Sequence, residues 1–334
     1  MSTTVTDRVI DTARWLASDP VSRVRTGQTP HAVLFRDQKA CVRYFAPETA
    51  RLPPVFCVLP LINTGTVFDL MPGRSVVEAL TAAGVPVYVL DWGRAGPEDS
   101  QLPMSHYVDR VLGRCINRAI RHAGIYEIDV LGYCVGGTFL ALHLARNPGP
   151  ARRAFFLATP IDFHRSGRLS TWARPETFPL DSIIDGFGNF PKALMQDSFR
   201  WMRPTGSTQK FKTLLDRGDD PAFRELWVAL ESWNADGVDF PGATYREYIR
   251  GCYFDNALMK GGWVMDGRRV DLRDAKIPAV TVAAAGDHIV PEAAAHALAA
   301  VWGGPVRVAT VSGGHVGVCA GAKLPAAIVE WLAT

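Results

Sequence analysis

The sequence predicts an α/β fold in which helices cover both faces of a mostly parallel β-sheet. Short apolar runs rich in β-branched residues alternate with helical segments along the first half of the chain. The same alternation returns near the end, after a long segment of different composition. Strands that alternate with helices in this way are typical of parallel sheets, because each crossover helix packs on a face of the sheet.

The predicted elements follow from these patterns in chain order. Strands are predicted where short apolar or alternating runs end in turn residues, at 31–45 (two strands around a polar turn at 36–39), 55–60, 85–90, 128–131, 153–158, 278–285 and 306–311. Helices are predicted where apolar residues recur at helical spacing, at 74–84, 107–122, 138–146 and 323–332.

Residues 163–268 interrupt this alternation. They are rich in Trp, Phe, Pro and polar residues, with helical stretches and few strand signals. The pattern predicts a helical cap inserted into a core formed by residues 29–162 and 269–334, preceded by an N-terminal segment, residues 1–28. Helical insertions at the carboxyl ends of strands commonly cover a binding site.

Composition and charge exclude several classes of protein. Of the 334 residues, 48% are hydrophobic and 21% are charged, as in ordinary globular domains. The net charge of +3, without runs of like charge, argues against nucleic acid as a partner. No apolar run reaches the roughly 18 residues of a membrane span. We find no signal peptide and six scattered cysteines without metal-binding spacing, so we expect a cytoplasmic protein with reduced thiols and no metal.

The strongest local motif is the pattern G-x-C-x-G around Cys134. It follows the strand at 128–131 and opens a helix, as a nucleophile elbow does, with Cys in place of Ser. Side chains at Gly132 or Gly136 would collide with the neighbouring strand and helix. The amino terminus of the helix favours the thiolate form. A chance match around a buried cysteine is the alternative, and the position between strand and helix argues against it.

A base and an acid follow in the order that this motif requires. Asp287 comes directly after the strand at 278–285, and His315 lies in a Gly-Gly-His loop after the last strand. Taken singly, Asp287 could be a turn residue and His315 a loop cap. Their agreement with the chain order nucleophile, acid, base predicts a Cys134–His315–Asp287 triad.

The oxyanion formed during attack requires two backbone N–H donors. The residue after the nucleophile, Val135, is predicted to supply one. The loop after the strand at 55–60 is predicted to supply the other, at Asn63 or Thr64; an ordinary polar turn is the alternative there. A cysteine nucleophile attacks thioesters readily and leaves an acyl group still activated for transfer, so transfer is favoured over hydrolysis.

Further motifs extend across the chain from about residue 29. They lie at 29–31, 62–63, 68–70, 91–93, 132–138, 159–163, 188–191, 233–236, 261–262, 270–272, 287–291 and 313–315. In this order they resemble the polyhydroxyalkanoate synthase family, which polymerises (R)-3-hydroxyacyl-CoA. In length the N-terminal segment is similar to that of the short catalytic subunits, called class III, whereas the motifs at 132–138 and 233–236 look more like those of the long, single-subunit classes. Thr64 departs from the family, which usually has a basic residue at that position.

The resemblance implies an α/β-hydrolase core with a helical cap above a buried cysteine. It implies that Cys134, Asp287 and His315 are catalytic and that Asp287 helps His315 to deprotonate the incoming hydroxyl, whereas the residues alone also allow Asp287 merely to orient His315. His288, beside Asp287, is predicted either to support the triad or to be a packed structural residue.

The resemblance also implies the substrate and the partners. Hydroxyacyl-CoA would be the substrate and a growing polyester the acceptor, with no separate cofactor. It further implies a homodimer, a non-catalytic second subunit and a location at polyester granules. The alternatives are a thioesterase or small-molecule acyltransferase on the same scaffold, a catalytically silent granule-associated protein and, with less support from the motifs, an intracellular polyester depolymerase.

Overall fold

The computed structural model describes residues 5–21 and 25–334; residues 1–4 and 22–24 of the predicted N-terminal segment lie outside the described residues. The strands are β1 Ala32–Asp37, β2 Ala40–Phe45, β3 Val55–Val58, β4 Asp69–Met71, β5 Arg74–Ser75, β6 Val87–Asp91, β7 Ile128–Tyr133, β8 Ala151–Leu157, β9 Trp263–Met265, β10 Arg268–Val270, β11 Ala279–Ala284 and β12 Val306–Val311. The α-helices are α1 Val5–Ala17, α2 Val76–Ala82, α3 Leu112–Ala123, α4 Val135–Arg146, α5 Arg168–Trp172, α6 Leu180–Phe187, α7 Lys192–Met202, α8 Gly206–Arg217, α9 Pro221–Ala235, α10 Gly242–Tyr248, α11 Ala257–Lys260, α12 Glu292–His296, α13 Leu298–Val301 and α14 Lys323–Ala333.

One eight-stranded sheet organises the described residues, in the order β1-β2-β6-β3-β7-β8-β11-β12. The β1–β2 and β2–β6 pairs are antiparallel, and every pair from β6 to β12 is parallel. The prediction of a mostly parallel sheet is therefore confirmed. All residues of β3, β7 and β11 are buried, as expected for strands that helices cover on both faces.

The predicted strands and helices are present with shifted ends. Strand β7 continues through Tyr133, two residues beyond the predicted end, and therefore leads directly into Cys134. The helix predicted at 107–122 begins as a π-helical segment, His106–Val111, before it becomes α3. A second π-helix, Ile249–Phe254, continues α10.

The chain between β8 and β11 is mainly helical and contains α5 to α11. It also contains a small hairpin, β9–β10, that was not predicted, because strands of three residues are too short to produce a periodic signal. The domain boundaries at 163 and 268 stay a prediction.

Helix α1 was not predicted in the N-terminal segment. Its Trp15 ring meets that of Trp227 in α9 edge to face, with the ring centroids 5.7 Å apart. Asp11 of α1 forms an ion pair with Arg224, which also lies in α9. These contacts fasten the N-terminal helix to the helical segment. Across the described ranges, no helix has both the length and the apolar character that crossing a membrane requires.

Candidate active site

Cys134 occupies a strained turn between β7 and α4. Its backbone angles are φ 54° and ψ −131°, a conformation that residues other than glycine rarely adopt. The Cys134 amide donates to the carbonyl of Leu157 in β8 at 3.0 Å, and the side chain is buried, with the residue 7% exposed. The turn thus has the conformation that the G-x-C-x-G pattern predicts.

The two glycines of the motif are required because the backbone passes very close to its neighbours. A Cβ atom at Gly132 would lie 2.4 Å from the Cα atom of Gly137 in α4. A Cβ atom at Gly136 would lie 2.5 Å from the carbonyl oxygens of both Val58 and Leu59. The predicted collision is therefore confirmed for both glycines.

We expect Gly136→Ala to destabilise the protein by about 1–3 kcal/mol, because the backbone oxygens that the methyl group meets cannot rotate away. Gly186 in α6 is a matched control, since it is also helical and has no atom within 4 Å of its Cβ position. Gly186→Ala is expected to be neutral or stabilising by up to about 1 kcal/mol. Urea unfolding of the two variants measures the difference, and equal midpoints would contradict the packing argument.

Asp287 binds the His315 ring at its Nδ1 atom. Its Oδ2 atom accepts a hydrogen bond from His315 Nδ1 at 2.6 Å, and its Oδ1 atom accepts the backbone N–H groups of Ile289 and Val290, both at 2.8 Å. The Tyr133 hydroxyl donates to the carbonyl of His315 at 3.0 Å. Both carboxylate oxygens are engaged, so the carboxylate and the imidazole are fixed relative to each other.

The charges around His315 favour the imidazolium form. Burial lowers the pKa of His315, but the negative charge of Cys134, hydrogen bonds to Asp287 and Cys134, and the charge of Asp287 outweigh burial and raise the pKa to about 10. The imidazolium form of His315 is therefore stabilised next to the Cys134 side chain. A histidine in this position can serve as the base that activates a cysteine nucleophile.

This pKa shift predicts a pH-dependent contribution to stability. An unfolded histidine titrates near pH 6.5, so the stabilisation is complete below about pH 6.5 and is lost as the pH rises through the folded pKa of about 10. The difference in free energy of unfolding between wild type and His315→Gln should shrink between pH 6 and pH 10.5. Denaturant titrations across this range measure it, and a constant difference would contradict the prediction.

The remaining predicted site residues lie in different surroundings. Val135 is the first residue of α4, and Asn63 lines a chamber together with Cys134 and His315. The Thr64 hydroxyl instead donates to Asp236 at 2.9 Å, and Thr64 lines a separate polar groove. The structure therefore brings Asn63, but not the Thr64 side chain, to the chamber beside Cys134.

His288 is exposed next to the triad. Within the described part of the chain its side chain makes no hydrogen bond. Burial and the nearby charge of Arg203 lower the pKa of His288. Its supporting role stays a prediction, as do the catalytic roles of the other site residues.

Two chambers meet at Cys134. One is apolar, with a volume of about 130 Å³, and is lined largely by aromatic residues of the helical segment. The other, of about 120 Å³, carries the polar side chains of Asn63, Gln196 and Asn234 as well as His315. Each has room for a small group of atoms, since a single water needs only about 10–15 Å³. None of the three tyrosines that line the apolar chamber was predicted as a site residue, although all three fall in 245–253.

Curated relatives align along almost the entire chain. The poly(3-hydroxyalkanoate) polymerase subunit PhaC of Allochromatium vinosum is 31% identical over 320 residues, which cover 92% of this chain and 90% of the relative. The protein of the same name from Synechocystis sp. is 30% identical, covering 92% of this chain and 85% of the relative. The chain belongs to the poly(3-hydroxyalkanoate) polymerase family. The resemblance identified from the motifs is thereby confirmed.

A protein-family comparison and solved structures also match the fold of this polymerase family member. The α/β-hydrolase fold family matches residues 65–318. A thioesterase domain from the curacin biosynthetic pathway superposes with a TM-score of 0.53 at 13% identity, covering 91% of this chain and 99% of that domain. A thermophilic esterase from Thermogutta terrifontis gives a TM-score of 0.52 at 13% identity, covering 91% and 98%. These structures share the fold alone, and the predicted α/β-hydrolase fold is confirmed.

Proposed function

We propose that this polymerase family member is an acyltransferase that polymerises (R)-3-hydroxyacyl-CoA through an acyl-Cys134 and releases CoA. The observation that carries the proposal is a buried cysteine on a strained elbow, beside a histidine that a carboxylate holds at 2.6 Å. The family relationship supports the substrate class, because the relatives are named poly(3-hydroxyalkanoate) polymerases.

In the first step His315 takes the proton of Cys134 and the thiolate attacks the thioester carbonyl. A bond forms between Sγ and the carbonyl carbon, and the oxyanion is stabilised by backbone N–H groups at Val135 and near Asn63. The bond to the CoA sulfur then breaks, and the proton on His315 leaves with CoA as its thiol.

In the second step the hydroxyl of another hydroxyacyl unit, or of the growing chain, attacks the acyl-Cys134. His315 accepts the hydroxyl proton, with Asp287 supporting the charge that develops on the ring. An ester bond forms, the bond to Sγ breaks, and the thiolate–imidazolium pair is regenerated. The scheme needs no separate cofactor, because CoA is part of the substrate.

Incubation with (R)-3-hydroxybutyryl-CoA tests the proposal when CoA release and product size are followed together. Polymer formation with stoichiometric CoA release is the expected result. Free hydroxybutyrate would instead identify a thioesterase, and a small ester would identify a small-molecule acyltransferase. A protein that releases no CoA and gives no acyl label on Cys134 would be catalytically silent, which would overturn the proposal.

The partners follow from the same proposal. The relatives are named subunits, which supports a non-catalytic second subunit, and the polymer product supports a position at the granule surface. The homodimer implied by the resemblance belongs to the same proposal. Light scattering of the chain, alone and after polymer synthesis, measures its association; a monomer under both conditions would overturn the homodimer.

A further inference from the structure

Four residues that carry a hydroxyl group line the apolar chamber: Ser198, Tyr245, Tyr248 and Tyr253. Ser198 already donates its hydroxyl to the carbonyl of Leu194 at 2.8 Å. Tyr248 is buried, with only 4% of the residue exposed. Among the described residues, the hydroxyls of Tyr245, Tyr248 and Tyr253 have no hydrogen-bond partner, and none of the three is fully enclosed by protein atoms. Polar groups in a largely buried site normally have a partner, so these hydroxyls are available to a ligand in the chamber.

A π-helix places Tyr248 and Tyr253 on the same side of the apolar chamber. Tyr248 ends α10, and Tyr253 lies five residues later in the π-helix Ile249–Phe254, where the Asp255 amide donates to the carbonyl of Arg250 at 2.9 Å. In an α-helix, residues five apart point about 140° away from each other. The wider turn of a π-helix brings residues five apart closer to one face, and such segments are frequent at functional sites.

The two rings are also held in place from one side. The Phe163 ring packs edge to face against both, with centroid distances of 5.6 Å to Tyr248 and 4.9 Å to Tyr253, and the two tyrosine rings contact each other at 6.2 Å. Phe163 is itself fixed, because its amide donates to the side chain of Asn256 at 3.0 Å. The two tyrosine rings that line the chamber are therefore packed against a fixed neighbour.

Electrostatics relates these tyrosines to Cys134. Burial raises the pKa values of Tyr248 and Tyr253 well above the usual range, and the negative charge of Cys134 adds to the effect for both. For Tyr245, burial is the only cause of the raised pKa. Tyr248 and Tyr253 are thus protonated hydrogen-bond donors within the electrostatic reach of the nucleophile, and Tyr245 provides a comparison in the same chamber.

We propose that the hydroxyls of Tyr248 and Tyr253 bind the oxygen on carbon 3 of the acyl group attached to Cys134, and so select 3-oxygenated over unsubstituted acyl thioesters. The inference rests on the proposed acyl-Cys134. With the thioester carbonyl at the Val135 amide, carbon 3 lies two bonds from the carbonyl carbon, inside the apolar chamber. Its oxygen is a hydroxyl in a single unit and an ester oxygen in a chain, and both accept hydrogen bonds.

Single-turnover CoA release with enzyme in excess tests this inference. The rates for (R)-3-hydroxybutyryl-CoA and butyryl-CoA are compared in wild type, Tyr248→Phe, Tyr253→Phe and the double variant. Each single change should lower the ratio of the two rates by up to about tenfold, since one hydrogen bond is lost, while the butyryl-CoA rate is kept. The double variant should have a ratio near one, and Tyr245→Phe should keep the wild-type ratio.

Other results would overturn the inference in distinguishable ways. One such result is a double variant that keeps the wild-type ratio of the two CoA-release rates, or that turns over both thioesters more slowly by the same factor. Either outcome would show that Tyr248 and Tyr253 contribute packing and not selectivity. A wild-type enzyme that accepts both thioesters equally would overturn the selectivity while leaving acyl transfer intact. A wild-type enzyme that releases CoA from neither substrate would overturn the proposed function together with this inference.

Discussion

Cys134→Ala is expected to lower CoA release from (R)-3-hydroxybutyryl-CoA by about 10⁴-fold or more, because the proposed nucleophile is removed. The other thiols cannot replace it. Burial is the main cause that raises the pKa of each of them: Cys41, Cys57, Cys115, Cys252 and Cys319. Stopped-flow detection of CoA, with mass spectrometry of the intact protein for the acyl adduct, measures both parts of the effect.

Cys319→Ala is the most demanding control. This thiol is buried next to the Tyr133 hydroxyl, which donates to the carbonyl of His315. We expect the variant to keep its acyl adduct on Cys134 and a near-normal rate. Cys134→Ser should form the adduct much more slowly than wild type, because a hydroxyl needs stronger assistance from the base. A near-normal rate in Cys134→Ala would show that the elbow is not the reaction site.

The places of Cys134, Asp287 and His315 in the fold could be predicted because each of their sequence signals is local. Gly132 and Gly136 indicate one tight turn. Asp287 and His315 each follow a strand whose apolar run is visible in the sequence. Parallel strands bring their carboxyl ends to one edge of the sheet. The residues that follow those strands therefore lie close together, although they are far apart in sequence. The His315–Asp287 contact at 2.6 Å joins residues that two independent local patterns had selected.

Which residues line the chamber could not be predicted, because contacts between distant residues form it. Phe163 supports Tyr248 and Tyr253 from more than eighty residues away in sequence. Thr64 meets Asp236, a residue 172 positions further along the chain. Helix α1 rests on α9 in the same way. Neither helical periodicity nor helix propensity contains information about such pairs. The π-helix has the same local sequence pattern as an α-helix and differs in the spacing of its hydrogen bonds, which depends on packing.

Asp287→Asn is expected to leave the first CoA burst largely intact and to stop later turnover. Of the two charges that raise the pKa of His315, that of Cys134 has the larger effect, and a hydrogen bond to Cys134 adds to it. We therefore expect the Cys134–His315 pair to form without the carboxylate. Once Cys134 carries the acyl group, its charge is gone. Burial then lowers the pKa of His315, and Asp287 is the partner that stabilises the proton taken from the incoming hydroxyl.

The position of Asp287 limits how it can act. Its side chain is fully buried and lines neither chamber, so it reaches the hydroxyl only through His315. Single-turnover CoA release by wild type and Asp287→Asn, with intact mass of the protein at each time, separates the two steps. Accumulated acyl-Cys134 with no polymer supports the role in hydroxyl activation. Loss of the burst would show that Asp287 orients the imidazole for both steps, because an asparagine that donates to Nδ1 leaves the wrong tautomer facing the thiol.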